Sequence, residues 1–147
     1  MASTVSYELA YVDQCRSSLS AKVATYRRLF EAITEEGAGR EASLDQALIA
    51  LEPVFFNDLL VVLDSHFAHR SRAVEGSDGN PLNEVRIICS SLMLNDGVMT
   101  ADPVIGYTVE SSILKYEMGD EVHLGEHDFS MLAEAFLTEI VQKFVTR

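Results

Sequence analysis

The stretch "VSYELAYVDQCRSSLSAKVATYRRLFEAI", residues 5–33, decides the fold class. Within it Val5, Leu9, Val12, Arg16, Leu19, Val23, Tyr26, Phe30 and Ile33 recur at alternating spacings of four and three. That alternation keeps one stripe of a helix apolar and forms the a/d seam of a heptad repeat, sustained here for about four heptads. It predicts one long helix from near Thr4 to near Glu35, closed by the glycines of "EEGAGR", residues 35–40. Arg16 is the one charge in the seam. Its stem is expected to pack along the stripe while the guanidinium reaches solvent or an acidic neighbour.

Downstream of this helix, "EASLDQAL" (41–48) reads as a second helix start, with Ser43 as cap and Gln46 three residues on. Pro53 interrupts the region, and a proline inside a helix removes a hydrogen bond, so a kink or two helices meeting near Leu51–Pro53 are expected. The second half is read as running to about Arg72. In "VEGSDGNPLNEVR" (74–86) the Gly, Ser, Asp and Asn content marks a loop. Its Asn80-Pro81 pair marks a capped helix start, for a helix running to about Asn95. Residues 97–124 lose helical periodicity. "PVIGYTV", "SILKYE" and "DEVHL" carry β-branched and aromatic residues between turn signals, which predicts a small antiparallel β hairpin or meander. A last helix is expected from near Gly125, with Phe129, Leu132, Phe136, Ile140 and Phe144 on its apolar face and Glu126 and Asp128 in its first turn, where carboxylates suit the dipole. The whole reads as one mainly α domain over residues 1–147, four-helix-bundle-like, with a β excursion before the last helix.

Composition narrows the function classes. The chain has 147 residues, 48% of them hydrophobic, with 23 acidic against 11 basic residues and a net charge of −12. A chain this long can bury a full core without a metal or disulfide. An acidic surplus of that size repels phosphate backbones and anionic lipid, so neither nucleic acid nor a membrane is expected as a partner. The longest aliphatic run, "LLVVL" (59–63), is far short of the ~20 residues that span a bilayer, and the N-terminus lacks the layout of a signal peptide. Cys15 and Cys89 fall in helical patterns rather than a C-x-x-C spacing, and read as reduced, partly buried thiols. A cytoplasmic setting is expected.

Candidate chemistry concentrates in "LDSHFAHRSR", residues 63–72. Projected on the helix read as running to about Arg72, His66 and Arg70 point inward with His69 at the margin and Arg72 outside. A buried guanidinium is costly unless a carboxylate satisfies it, and Glu84, in the first turn of the next helix, is the expected partner, with Glu8, Asp13 and Asp58 as alternatives. A metal reading takes His66 and His69 as ligands with a third from Glu84, His123 or His127. It lacks an H-E-x-x-H or E-x-x-H motif, and it sets a cation beside Arg70. A small-anion reading joins Arg70 and Arg72 to the amides that open the helix after Asn80. His123 and His127 themselves read as surface-facing. No nucleophile elbow, phosphate loop or dinucleotide fingerprint is present, so the sequence leans away from an enzyme, and no cofactor is expected.

"FFNDLLVVLDSHFAHRSR" (55–72), "DGNPLNEVR" (78–86) and "GDEVHLGEHDF" (119–129) together resemble a family of small bacterial helical proteins of unassigned function. The resemblance covers roughly residues 54–145. It implies a free-standing domain in a bacterial cytoplasm, and carries over no activity, cofactor or catalytic residue. The resulting expectation is a non-catalytic interaction or binding module, homodimeric through its first helix because a helix longer than its neighbours finds a partner for its overhang, and open to a further protein partner. The other reading is a metal- or small-anion-dependent helical bundle using His66, His69 and Arg70.

Overall fold

The heptad stripe does form a helix. In a computed structural model that describes residues 5–35 and 41–146, α1 runs Leu9–Glu35, α2 Ala42–Ser65, α3 Arg72–Glu75, α4 Pro81–Leu94 and α5 Glu126–Phe144. Val12, Leu19 and Tyr26 of the stripe, with Cys15 beside them, are buried against α2 and α5, while Val5, Leu9 and Phe30 at its two ends stay exposed. α1 begins five residues later than expected, because Tyr7 instead pairs with the far end of α5: its N–H donates to the Phe144 carbonyl at 2.9 Å. The glycine stop at Gly37 and Gly39 lies outside the described residues. Arg16 pairs with Glu134 of α5, as its place in the seam suggested.

α2 corrects two expectations and narrows a third. It starts at Ala42 with Glu41 as N-cap, and Ser43 only turns its hydroxyl toward the Glu41 carboxylate. Pro53 sits inside one continuous helix, so of the two outcomes expected there, two separate helices is the one excluded. Its other end is Ser65, seven residues short of the expected Arg72. The Ser65 hydroxyl bonds back to the Val62 carbonyl at 2.6 Å, and such local bonding competes with continuation of a helix. The chain then turns through 66–71 into α3, a single helical turn absent from the sequence reading, capped by Ser71.

Asn80 caps α4 as its Asn-Pro signature predicted, its Oδ1 accepting from the Leu82 and Asn83 amides at 2.9 and 3.1 Å. Gly79 precedes it at φ +86°, and a Cβ there would sit 2.9 Å from the Gly106 carbonyl oxygen, so only glycine fits. The last helix starts after Gly125 and buries Phe129, Leu132, Phe136, Ile140 and Phe144 as expected.

The β excursion is the main departure. Residues 95–125 contain no strand among the described residues, only an isolated antiparallel bridge between Val98 and Glu121. Around that bridge the Met99, Gly119 and Val122 amides donate to the Asp120, Met99 and Gly97 carbonyls, and other backbone groups of the loop are held by side chains reaching out from the helices. Asn57 of α2 donates to the Val122 carbonyl and accepts from the Leu124 amide. Ser91 of α4 accepts from the Thr100 amide. Tyr116 and Tyr107 bridge within the loop. The fold is therefore mainly α: α1, α2, α4 and α5 pack around one continuous core, with the long loop strapped across α2 and α4.

Candidate functional site

The polar end of the bundle is built where α2 stops, and its centre lies in the segment whose Gly, Ser, Asp and Asn content predicts a loop. Glu75, the last residue of α3, is fully buried. Arg70 Nε donates to its Oε1 at 2.6 Å, Arg86 donates from Nη2 to Oε1 at 2.8 Å and from Nε to Oε2 at 3.0 Å, and Asn83 Nδ2 donates to Oε2 at 2.8 Å. The Glu75 carbonyl in turn accepts from Asn80 Nδ2 at 2.8 Å and from Lys143 Nζ of α5 at 2.9 Å. One carboxylate thus ties the α2–α3 turn to α4, and its own backbone ties α3 to α5. Burial alone would raise the Glu75 carboxyl, but the Arg86 hydrogen bond and the Arg70 charge outweigh it and hold the group below the ordinary carboxylate range. The same bond raises Arg86 further above its ordinary value.

Arg70 is buried, as expected, and its partner is not Glu84. Besides Glu75, its Nη2 lies 2.8 Å from Asp64 Oδ1, an ion pair whose angles are not those of a hydrogen bond, and its Nη1 donates to the Phe67 carbonyl. The guanidinium also sits 5.2 Å above the centre of the Phe136 ring, a cation–π contact. The helix end at Ser65 and the inserted turn of α3 account for the change of partner, since they bring Glu75 to Arg70 before α4 begins. Glu84 is buried too, with its carboxylate committed elsewhere: Oε1 accepts from the Ile113 amide at 2.8 Å and Oε2 from the Leu114 amide at 3.0 Å. It is an anchor for the long loop.

The histidines separate. His66 is half-buried just past α2, where its carbonyl accepts from the Tyr11 hydroxyl at 2.8 Å and its ring Nδ1 is 3.5 Å from the same oxygen. His69 is exposed, as are His123 and His127. Among the described residues no three His, Cys, Asp or Glu side chains converge as a metal would require. The anion reading meets occupied groups: Arg70 is held by Glu75 and Asp64, the exposed Arg72 pairs with Asp102 at 3.2 Å, and Asn80 fills the amides at the start of α4. Both thiols are buried and unbridged, with Cys89 pushed well above its ordinary range by burial, which strips it of nucleophilic character.

Sequence reasoning missed Glu75, Asn83, Asp64 and Lys143. A signal for the first was available: Ser71 followed by "RAVE" and Gly76 is a one-turn helix with an N-cap and a glycine stop, and Glu75 is the one acid between Arg70 and Arg86 apart from Asp78 and Glu84.

The opposite end of the bundle has a different character. Glu126, the first residue of α5, donates its amide to Glu52 Oε1 at 3.2 Å and accepts from Arg27 Nε at 3.0 Å. Next to them the Tyr26 hydroxyl is raised to about 12 by burial and by the adjoining Glu52 carboxylate. Past this level α5 contributes nothing, while α1 and α2 go on. α2 is long and apolar enough, by length and composition, to cross a bilayer, yet only part of it is buried. Leu44, Ile49, Leu51, Val54 and Val62 are exposed. No family model, curated protein or solved structure matches the chain, so its function is read from this geometry.

Proposed function

We propose that the protein is a non-catalytic interaction module of the bacterial cytoplasm that acts by self-association. The observation that carries this reading is the apolar excess of α2, which exposes five large aliphatic side chains along a helix whose other side fills the core. Surplus apolar surface of that kind on a chain this acidic is the mark of a contact surface. The pairing around Glu75 agrees, because Arg70 and Arg86 there already have protein carboxylates as partners. Light scattering over a range of concentrations tests the reading. A mass of twice the 16.3 kDa chain supports it. A mass of one chain at the highest attainable concentration contradicts it.

A further inference from the structure

Where α5 begins, side chains of three helices enclose a cavity of about 120 Å³, lined by Tyr26, Arg27 and Phe30 of α1, Glu52 of α2 and Glu126 of α5. Tyr26 is its buried wall, and Arg27 and Phe30 are its exposed ones. Two carboxylates face one guanidinium, which leaves one negative charge in excess.

Each wall is held in place. Glu52 sits against the N-terminus of α5, its Oε1 accepting from the Glu126 amide at 3.2 Å. A Cβ on Gly125 would lie 2.7 Å from that oxygen, so the glycine is what admits the carboxylate. Arg27 Nε donates to Glu126 Oε1 at 3.0 Å and holds the second carboxylate. The Tyr26 ring is fixed by Phe55, stacked at 5.3 Å, and by Phe56, edge-on at 4.8 Å.

One group in the lining has no such explanation. Tyr26 is 6% exposed, and its buried hydroxyl, although beside Glu52, is not in hydrogen-bond geometry with it or with any other group. A buried hydroxyl without a partner costs stability, and a phenylalanine would stack on the same rings. Burial, then the Glu52 charge, raise the hydroxyl to about 12, so at neutral pH it stays a phenol that accepts one bond and donates another. Capping of α5 explains Glu52 and ion pairing explains Glu126, but neither explains the Tyr26 oxygen.

We propose that this cavity binds a small aliphatic primary amine in its ammonium form, with Tyr26, Glu52 and Glu126 as acceptors. A primary ammonium carries three N–H donors and no acceptor, and the site offers it one phenol oxygen and two carboxylates. Its charge cancels the excess negative charge of the lining, and the rings of Tyr26 and Phe30 attract a cation as well. At about 30 Å³ per water, the cavity has the volume of about four waters, enough for an ammonium on a chain of three or four carbons. Calcium or magnesium needs about six oxygens, which two carboxylates and a phenol do not supply by themselves. The proposal goes beyond self-association and does not depend on it.

Amide NMR shifts of the full chain titrated with n-butylammonium chloride test the site, against potassium chloride at matched ionic strength. Shifts are expected at residues 26, 27, 52 and 126, with a dissociation constant on the order of 1 mM. Glu52→Gln, which keeps an acceptor for the Glu126 amide, is expected to weaken binding at least about tenfold. Tyr26→Phe is expected to weaken it about threefold or more while leaving the thermal midpoint equal or higher, a split that a purely structural hydroxyl would not show. n-Butanol, the same chain without the charge, is expected to shift none of these amides. Nα-acetyl-lysine methylamide carries the same ammonium on a peptide backbone, and the tighter of the two amines tells a free amine from a lysine of a protein as the source. Absence of shifts with both amines, equal shifts with butanol, unchanged affinity in both variants, or shifts with magnesium or zinc chloride alone overturns the site.

Discussion

The two ends of this bundle solve opposite problems. Around Glu75, between the end of α2 and the start of α4, the chain buries charge and then satisfies nearly all of it from within: two arginines, two asparagines and a lysine converge on one glutamate. At the other end, where α1 and α2 run on past the start of α5, the chain leaves large apolar side chains open to solvent. Buried ion pairs are weak contributors to net stability because desolvation cancels much of their attraction, but they are unforgiving of a missing partner. Apolar surface has no such specificity and accepts any complementary cover. A closed polar end and an open apolar end suggest where the molecule is finished and where it is not.

The largest effect should come from breaking the closed end. Glu75→Gln removes the carboxylate that Arg70 and Arg86 share, leaving Asp64 as the one acid paired with the buried Arg70, and is expected to cost about 3–5 kcal/mol in urea denaturation. A loss under about 1 kcal/mol would mean that the cluster is more hydrated than its burial indicates. The same residue sets an acid limit. Its folded carboxyl is held below the ordinary value of about 4.3, so its contribution is present above that pH and is lost as pH falls through the folded value. Urea titrations across that range should show the gap between wild type and Glu75→Gln narrowing on acidification, and a gap independent of pH would remove Glu75 from the account.

A smaller loss, about 1–3 kcal/mol, is expected for Glu84→Ala, which strips the Ile113 and Leu114 amides of their acceptor. Hydrogen exchange should then quicken over residues 108–115 and stay slow around Glu75. If exchange quickened equally at both places, Glu84 would belong to the polar lock after all. Least of all should follow from His69→Ala: the exposed ring is expected to leave the unfolding midpoint unchanged, with or without added zinc. A zinc-dependent rise in wild type that His69→Ala abolishes would restore the metal reading.

Much of this contrast could be read in the sequence, and the rest failed for identifiable reasons. The stripe of α1, the Asn80-Pro81 start of α4 and the apolar face of α5 are local, periodic signals, and each helix formed where they pointed. The burial of Arg70 was legible from its apolar neighbours, but its partner was not. That depended on α2 ending at Ser65, which no glycine or proline announces. Residues 97–124 looked like strands because Val, Ile and Tyr suit a pleated surface. Apart from the bonds around the Val98–Glu121 bridge, backbone groups there are held by Asn57, Glu84 and Ser91 of the helices, and periodicity within a segment carries no information about such partners. The open end was half legible: the overhang of the first helix was expected, while the contribution of α2 needed the level of Glu126 to be known.

Hydrogen exchange followed as a function of protein concentration tests the central contrast most directly. Residues 44–51 of α2 lie beyond the start of α5 and should open readily in the monomer, so self-association through α2 slows their exchange. The account predicts that amides of residues 44–51 become more protected as concentration rises, while those of residues 70–86 do not change. Protection that rises around Glu75 and not at the open end would contradict it.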